Sequence, residues 1–444
     1  NLSTAVTSAP SGSHILATET AFRFGGGVNT SSNTVAIRSS GDIHAPVERV
    51  FLLGGSSSLS VPVGRTISIF GPLSANAFAS VNISGDSFLL GSRGTLTAGT
   101  GSSITIDGDV SSLEGRTSIQ FGAAVVFSGS MTNIGPISAL TGATLEAGGA
   151  ITNIDLTQLT GADVTTPMYL NRASLICEQN CSFTGDFVNN VNATTLINSG
   201  SLLIGGTLTN NGIVAATLAS PDITVHESLV QSASAGFIFP FNDSVVRVAG
   251  NFDAAINSNA AYALSLATLR LDGSGPEQTM EAMSKDIGAT ALGLDRVFPG
   301  HFPIGTLELA SGSTVRLVDN HDNDTLGQGS CEAAYVNELR INSGARLINT
   351  GCAKIYYNTL INNGTVDVPA NLIAIGTLPC SGDLNGDTQV DDSDFVLFAS
   401  AYNILDCLDP FMPSGCPADL NADGVVDDTD FVLFVAAYDT LVCP

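Results

Sequence analysis

Residues 94–107, with the sequence GTLTAGTGSSITID, set the pattern that most of the chain repeats. The run within Gly94–Gly99 and the run Ser103–Asp107 alternate polar and apolar side chains, and glycines separate them. A period of two predicts β-strands, and glycine suits the turns because it tolerates positive φ. Similar units recur further along the chain, at Gly142–Gly148, Gly200–Gly212, Gly312–Val318, Gly344–Gly351 and Gly364–Val368.

The spacing of these units is irregular but close to 20 residues or a fraction of it. Such spacing favours stacked coils, and we predict a parallel β-helix, or solenoid, over residues 51–375. The fold class is therefore mainly β, with a small α-helical domain at the C-terminus. The alternative is a set of antiparallel sandwiches, in which Asn211-Gly212 and Asn363-Gly364 would form hairpin turns.

Two segments depart from the pattern. Residues 276–288 begin with Pro276 and end with Gly288, which predicts a short helical insert. Residues 1–50 contain the alternating run Thr34–Arg38, and we interpret them as an N-terminal cap or assembly segment.

The chain is strongly acidic. Its 444 residues carry a net charge of −26, and Lys285 and Lys354 are the only lysines. This charge argues against a nucleic-acid or anionic-membrane partner. The sequence has no apolar run of 18 residues, so no membrane span is expected.

The eight cysteines favour disulfides, and with them an extracellular or cell-surface location. Cys177 lies close to Cys181 in the sequence, and Cys331 lies close to Cys352. Zinc binding at Cys177 and Cys181 is the alternative, but no neighbouring His or Cys completes a set of four ligands.

Residues 383–394, DLNGDTQVDDSD, recur 36 positions later as residues 419–430, DLNADGVVDDTD. Both copies place oxygen donors at the loop positions that a calcium ion requires. We therefore predict two calcium ions, whose ligands at positions 1, 3, 5, 7, 9 and 12 are Asp383, Asn385, Asp387, Gln389, Asp391 and Asp394 in loop one, and Asp419, Asn421, Asp423, Val425, Asp427 and Asp430 in loop two.

Three further features of the loops can be read from their positions. Gln389 and Val425 would each bind through the backbone oxygen. Val390 and Val426, at position 8, are expected to point into a helical core. Position 6 needs glycine for a sharp turn, which Gly424 supplies in loop two, whereas loop one has Thr388.

Apolar helices are predicted after the loops, at Phe395–Tyr402 and Phe431–Tyr438. Residues 380–444 as a whole resemble the duplicated loop–helix units of type I dockerin domains. That resemblance implies a cohesin-like partner, recognised through the helices and through positions 10 and 11, which are Asp392-Ser393 and Asp428-Thr429.

The dockerin arrangement also has antiparallel helices. It thereby implies disulfides Cys380–Cys443 and Cys407–Cys416. The alternative joins Cys380 to Cys407 and Cys416 to Cys443, so that each disulfide spans a loop and a helix.

Residues 305–319 and 332–347 are similar to repeat regions of large secreted proteins from planctomycete-type bacteria. Such proteins often end in dockerin-like repeats. This similarity implies a surface protein and carries no information about a reaction.

No catalytic set is evident, so the protein is not expected to be an enzyme. The five histidines are scattered, and the common nucleophile, zinc-protease and phosphate-loop motifs are missing. Residues 321–324, HDND, could bind an ion, but we interpret them as a solvated loop.

The leading hypothesis is a secreted, calcium-stabilised structural protein. It would assemble with copies of itself into an extracellular filament or surface layer. The alternative is a cell-surface binding protein, which the dockerin-like tail anchors to a cohesin-like receptor or a surface glycan. A third hypothesis is a polysaccharide-active β-helix enzyme.

Overall fold

The computed structural model describes most of the chain. The described residues are the strands between 13 and 45, then 51–62, 64–218, 221–273, 275, 277–323, 331–375, 382, 384–385, 390–407, 409, 411–413, 416–420 and 424–438. The chain divides into two compact units, residues 1–286 with 294–372, and residues 287–293 with 373–444. The division after Leu372 precedes the change in composition at Pro379-Cys380.

The first unit is a parallel β-solenoid whose strands form three faces, and most coils contribute one strand to each face. Along the first face Ser103 pairs with Ala124, Ala124 with Thr144 and Thr144 with Asp163, so these coils are 21, 20 and 19 residues long. This register confirms the solenoid over the antiparallel sandwich. The spacing near 20 residues is therefore the length of a whole coil.

The faces are numbered in the order in which a coil visits them. The strands of the first face are Ser13–Ala17, Val35–Ser39, Ser56–Ser60, Ser80–Ser84, Ser103–Asp107, Ala124–Phe127, Thr144–Ala147, Asp163–Thr165, Cys181–Phe183, Ser201–Ile204, Asp222–Val225, Val245–Val248, Ile304–Leu309, Glu332–Ile341 and Lys354–Asn362. The strands of the second face are Ala21–Arg23, Asp42–Ala45, Thr66–Ile69, Ser87–Leu90, Val110–Leu113, Ser130–Asn133, Ile151–Asn153, Met168–Asn171, Asp186–Asn189, Leu208–Asn210, Leu229–Gln231, Phe252–Ala254, Gln278–Glu281, Thr314–Val318, Arg346–Ile348 and Thr365–Val366. The strands of the third face are Val28–Asn29, Phe51–Leu53, Pro72–Ala75, Thr95–Ala98, Arg116–Ile119, Ile137–Ala139, Thr157–Thr160, Ser174–Glu178, Thr194–Ile197, Ile213–Ala216 and Gly236–Ile238.

A few elements stand outside this regular order. The strand Tyr262–Leu271 pairs with both the third and the first face, and so joins them. The strand Ser284–Lys285 pairs antiparallel with Glu332–Ile341. The remaining strand and the 3-10 helices are Leu372–Ala374, Asn259–Ala261, Ala291–Leu294 and Pro369–Asn371.

A column of five asparagines runs through the solenoid core. Each is the last residue of a second-face strand, each is fully buried, and together they are Asn133, Asn153, Asn171, Asn189 and Asn210. The first four side-chain amides each donate to the carbonyl oxygen of the next asparagine at 2.9–3.0 Å, and the amide of Asn210 donates to the backbone oxygen of Gly236 at 2.9 Å. The column thus satisfies polar groups that would be costly to bury alone. The column is not evident from the sequence alone.

The helical insert predicted over residues 276–288 is wrong. Gln278–Glu281 continues the second face, and Met280 pairs with Phe252 of the coil before it. The Gln278 side chain is buried and bonds to the backbone of Gly250 and Gly273. Tertiary pairing on this face outweighs the helical signal of a proline at one end and a glycine at the other.

The described strands between residues 13 and 45 share the pairing of the later coils. Ser13–Ala17 pairs in parallel with Val35–Ser39, which pairs in turn with Ser56–Ser60. The described strands of this segment therefore belong to the same three faces. A cap or assembly role for residues 1–50 stays a prediction.

Among the described residues of 321–324, our interpretation as a solvated loop is wrong for Asn323, whereas Asp322 is exposed and His321 is half-buried. Asn323 is fully buried, and its side-chain amide donates to the backbone oxygens of Ala254 and Ile256 at 2.9 and 2.6 Å. Asp324 lies outside the described residues. The loop is held against the second face because Asn323 satisfies two carbonyls there.

In the second unit two helices follow the acidic loops as predicted, α1 over Asp392–Tyr402 and α2 over Asp428–Tyr438. Their buried aromatic residues Phe398 and Phe434 stack with ring centroids 4.9 Å apart. Val390 and Val426 are fully buried in the same cluster, which confirms their predicted inward orientation.

Three of the expected disulfides lie within the described residues. Cys177–Cys181 and Cys331–Cys352 form in the solenoid, and Cys407–Cys416 forms in the tail. The last excludes the alternative that joins Cys407 to Cys380. Cys380 and Cys443 lie outside the described residues. No helix in the described part of the chain is both long and apolar enough to cross a membrane.

Candidate metal-binding loops of the tail

The structure describes seven of the twelve predicted ligand residues. The other five, whose positions lie outside the described residues, are Asp383, Asp387, Gln389, Asn421 and Asp423. The structure therefore describes the end of each loop, where it meets the following helix, and two residues near the start of each loop.

Asp394 and Asp430, the last ligand of each loop, are fully buried. One oxygen of Asp394 accepts from the backbone N–H of Leu384 and of Asn385, at 2.7 and 3.0 Å, and the other from Asp391 at 3.0 Å. Asp430 accepts in the same way from Leu420 at 2.7 Å and from Asp427 at 2.9 Å. Each position-12 carboxylate is thus directed into its own loop by the start of the helix that follows.

Asp391 and Asp427, at position 9, cap the helices. An oxygen of Asp391 accepts from the N–H of Ser393 at 2.8 Å, and Asp427 accepts from Thr429 at 2.7 Å. A carboxylate suits this place because the first N–H groups of a helix have no partner within the helix. Both predicted ligands therefore also fix where their helix begins.

Loop two shows the sharp turn that calcium loops need. Gly424, at position 6, has φ +92°, and its N–H donates to the Asp419 carboxylate at position 1 over 2.9 Å. An L side chain is strained at this φ, so the glycine has a conformational reason to be there. The corresponding Thr388 of loop one lies outside the described residues.

The segment after α1 supports loop two. Asp406 forms an isolated antiparallel bridge with Val425, and the N–H of Val426 donates to the oxygen of Leu405 at 2.7 Å. The disulfide between Cys407 and Cys416 fixes the same segment just before the loop starts. The backbone of position 7 is thereby placed by the segment after α1 and not by the loop alone.

The charge of the tail fits a bound cation. Residues 381–444 contain 13 Asp and no Lys, Arg, His or Glu. A buried carboxylate is costly unless an opposite charge pairs with it, and this segment has no basic side chain to pair with Asp394 or Asp430. The donors of both loops are all oxygen atoms, which is the set that calcium prefers.

The two helices present a matched apolar surface. The same three residue types follow the loop in each helix, and all of them are more than a third exposed: Phe395, Val396, Leu397, Phe431, Val432 and Leu433. We refer to these six residues as the paired-helix face. The sequence predicts helices over these residues but does not predict that they are exposed.

Searches with protein-family models, among curated proteins and among solved structures found no match to this chain.

Proposed function

We propose that this chain is a non-catalytic extracellular scaffold protein, in which a tail stabilised by two calcium ions attaches a β-solenoid to a partner protein at the cell surface. The observation that carries the proposal is the paired-helix face. Its six apolar side chains are exposed at equivalent positions of the two helices. Exposed apolar patches of this kind are typical of protein interaction sites.

Calcium is proposed as the ion that folds the tail. Without a cation, Asp394 and Asp430 would be buried carboxylates in a segment that has no positive side chain. Folding and calcium binding should therefore be coupled. The helices would present their apolar residues only when the loops are loaded.

Charge favours a different protein over a second copy of this tail as the partner. The tail carries 13 Asp, and two calcium ions would offset only four of those charges. Two such tails would repel each other. A partner protein whose apolar surface has a basic rim would instead attract the acidic tail. A cohesin-like receptor is the partner class that the resemblance implies.

The test uses the full chain and the double variant Val396→Asp/Val432→Asp. Val191→Asp is the matched control, because Val191 is 62 % exposed, as Val396 is, and lies in the solenoid. In calcium, the wild type and V191D should bind the same surface protein of the source organism, and the double variant should not. Equal binding by all three chains would refute docking through this face.

Self-assembly is a second candidate, and one observation favours it. The strand Ser13–Ala17 pairs with Val35–Ser39 on one side, and no other described strand lies along its second edge. An unpaired parallel edge is a template for the strand of another molecule. Sedimentation of the full chain in calcium tests it, since a monomer at high concentration would exclude assembly at this edge.

A further inference from the structure

Three side chains capable of binding a metal meet on the outer side of the second face. Phe252 pairs with Met280, so Asp253 and Glu281, the next residue of each strand, lie on neighbouring coils. Glu281 pairs in turn with Val318, after which the chain folds back and brings His321 over the same place. The solenoid thereby gathers residues that are up to 68 positions apart in the sequence.

Their ligand atoms are close enough to share one ion. Nε2 of His321 lies 2.5 Å from Oδ1 of Asp253, and one nitrogen or oxygen of each of the three residues lies within 4.8 Å of the others. The Asp253 and His321 side chains are 41 % and 35 % exposed, respectively. The group is therefore reachable from solvent on one side.

The backbone holds this arrangement in place. One carboxylate oxygen of Glu281 accepts from the N–H of Asn320 at 2.6 Å and from the N–H of His321 at 2.9 Å. Two residues further on, buried Asn323 fixes the loop to the second face through Ala254. The imidazole is thus positioned by hydrogen bonds on both sides of it.

The second oxygen of Glu281 is the unusual atom. It is buried, Glu281 is only 1 % exposed, and this oxygen has no hydrogen-bond partner among the described residues. Burial raises the pKa of the Glu281 carboxyl to about 7. A buried carboxylate oxygen without a partner is costly, and native proteins rarely keep one without a reason.

We infer that Asp253, Glu281 and His321 bind a divalent cation of the zinc class. An imidazole together with two carboxylates is a donor set that suits such borderline metals better than calcium or magnesium. The cation would provide the missing partner of the buried Glu281 oxygen. It would also take the place of the direct contact between His321 Nε2 and Asp253 Oδ1, and its solvent side would stay open to water or to a small ligand.

Zinc titration of the full chain tests this site. The protein is stripped with a chelator, saturated with calcium so that the tail loops are loaded, and titrated with Zn2+ in a calorimeter. The wild type should bind one zinc ion that His321→Ala and Glu281→Gln weaken by about 100-fold or more. His226→Ala, which removes an exposed histidine elsewhere on the solenoid, should leave the affinity unchanged.

Glu281→Gln separates metal binding from a structural role. Glutamine can still accept from the N–H groups of Asn320 and His321 through its carbonyl oxygen, so the loop should stay folded in the chelator. Zinc should then raise the melting temperature of the wild type but not of E281Q. Asp253→Asn, at a half-exposed position, serves if either of the other variants fails to fold.

Two results would overturn the inference. One is a wild type that binds no zinc at submillimolar concentration. The other is H321A, E281Q or D253N binding zinc as tightly as the wild type does.

Discussion

The phenol of Tyr402 donates a hydrogen bond to the carboxylate of Asp428, which joins the last residue of α1 to the first residue of α2. Tyr438 and Asp392 form the equivalent bond from the end of α2 to the start of α1. The helices therefore run antiparallel, as the dockerin resemblance implies. The bond to Asp428 raises the pKa of the Tyr402 phenol above its ordinary value.

Loss of either bond should destabilise the tail equally. Tyr402→Phe and Tyr438→Phe should each lower its free energy of unfolding by a similar small amount, because each removes one solvent-exposed hydrogen bond to a carboxylate. The combination of Y402F with Asp428→Asn should cost no more than either change alone. Chemical denaturation in calcium measures both effects, and additive losses would contradict the pairing.

Removal of calcium should unfold the tail and leave the solenoid folded. In a chelator, amide hydrogen exchange should become fast over α1 and α2, while the strands of the solenoid stay protected, since the tail has its own small core. Asp430→Asn should lower the calcium affinity of loop two at least about tenfold. Asp109→Asn, at an exposed aspartate of the solenoid that lies outside the predicted ligand set, should leave it unchanged.

Gly424 should be sensitive to an added methyl group although there is room for it. No atom lies within 4 Å of a Cβ built at this residue, so any cost of Gly424→Ala comes from its φ of +92°. We expect a loss of about 1–2 kcal/mol in the stability of the loaded tail. Gly351→Ala is the control, because Gly351 has equal space and its φ is not positive. Equal melting temperatures of the two variants would exclude strain at Gly424.

Replacing an asparagine in the middle of the column should lower the stability of the solenoid more than replacing the first asparagine. Asn171→Leu leaves the Asn153 amide and the Asn189 carbonyl each without one buried partner, and should cost about 1–3 kcal/mol. Asn133→Leu should cost about 1 kcal/mol or less, because it removes one bond of the column, whereas Asn171→Leu removes two. Urea unfolding of the solenoid compares the two, and equal costs would refute a cooperative column.

Asp286 should stabilise the solenoid at neutral pH and lose this effect at strongly alkaline pH. Its two oxygens accept from Nζ of Lys354 and from the Tyr356 hydroxyl, each at 2.8 Å. The hydrogen bond to Asp286 raises the pKa of Lys354, and burial together with Asp286 raises the pKa of Tyr356. Groups whose pKa is raised on folding stabilise the folded state at low pH and lose that effect as pH rises through the raised values.

Asp286→Asn should therefore cost about 0.5–1 kcal/mol at pH 7 to 9. The difference from the wild type should shrink as the pH is raised above about 10.5, where lysine and tyrosine deprotonate. Thermal unfolding across this range measures it. Asp109→Asn, at an exposed aspartate, should show no such trend, and a constant difference at every pH would contradict the assignment.

Much of the architecture could be predicted from short-range patterns. The alternation of polar and apolar residues in Ser103–Asp107 specifies a strand with one buried side, and the recurrence of such units predicts stacking. The positions of Val390 and Val426 within the acidic loops predicted their burial. In each case residues a few positions apart determine which side chains are buried, because the local spacing of apolar residues decides which side of the segment faces the core.

The sequence by itself determined the β-solenoid class, the two helices, the turn at Gly424 and the close cysteine pairs. Only the tertiary structure decided which residues of different coils meet: the asparagine column, the strand at Gln278–Glu281 in place of a helix, and the meeting of Asp253 with His321. The physical reason is that coil length varies between turns. A residue's neighbour on the next coil is therefore set by the register of backbone hydrogen bonds, which no local pattern records.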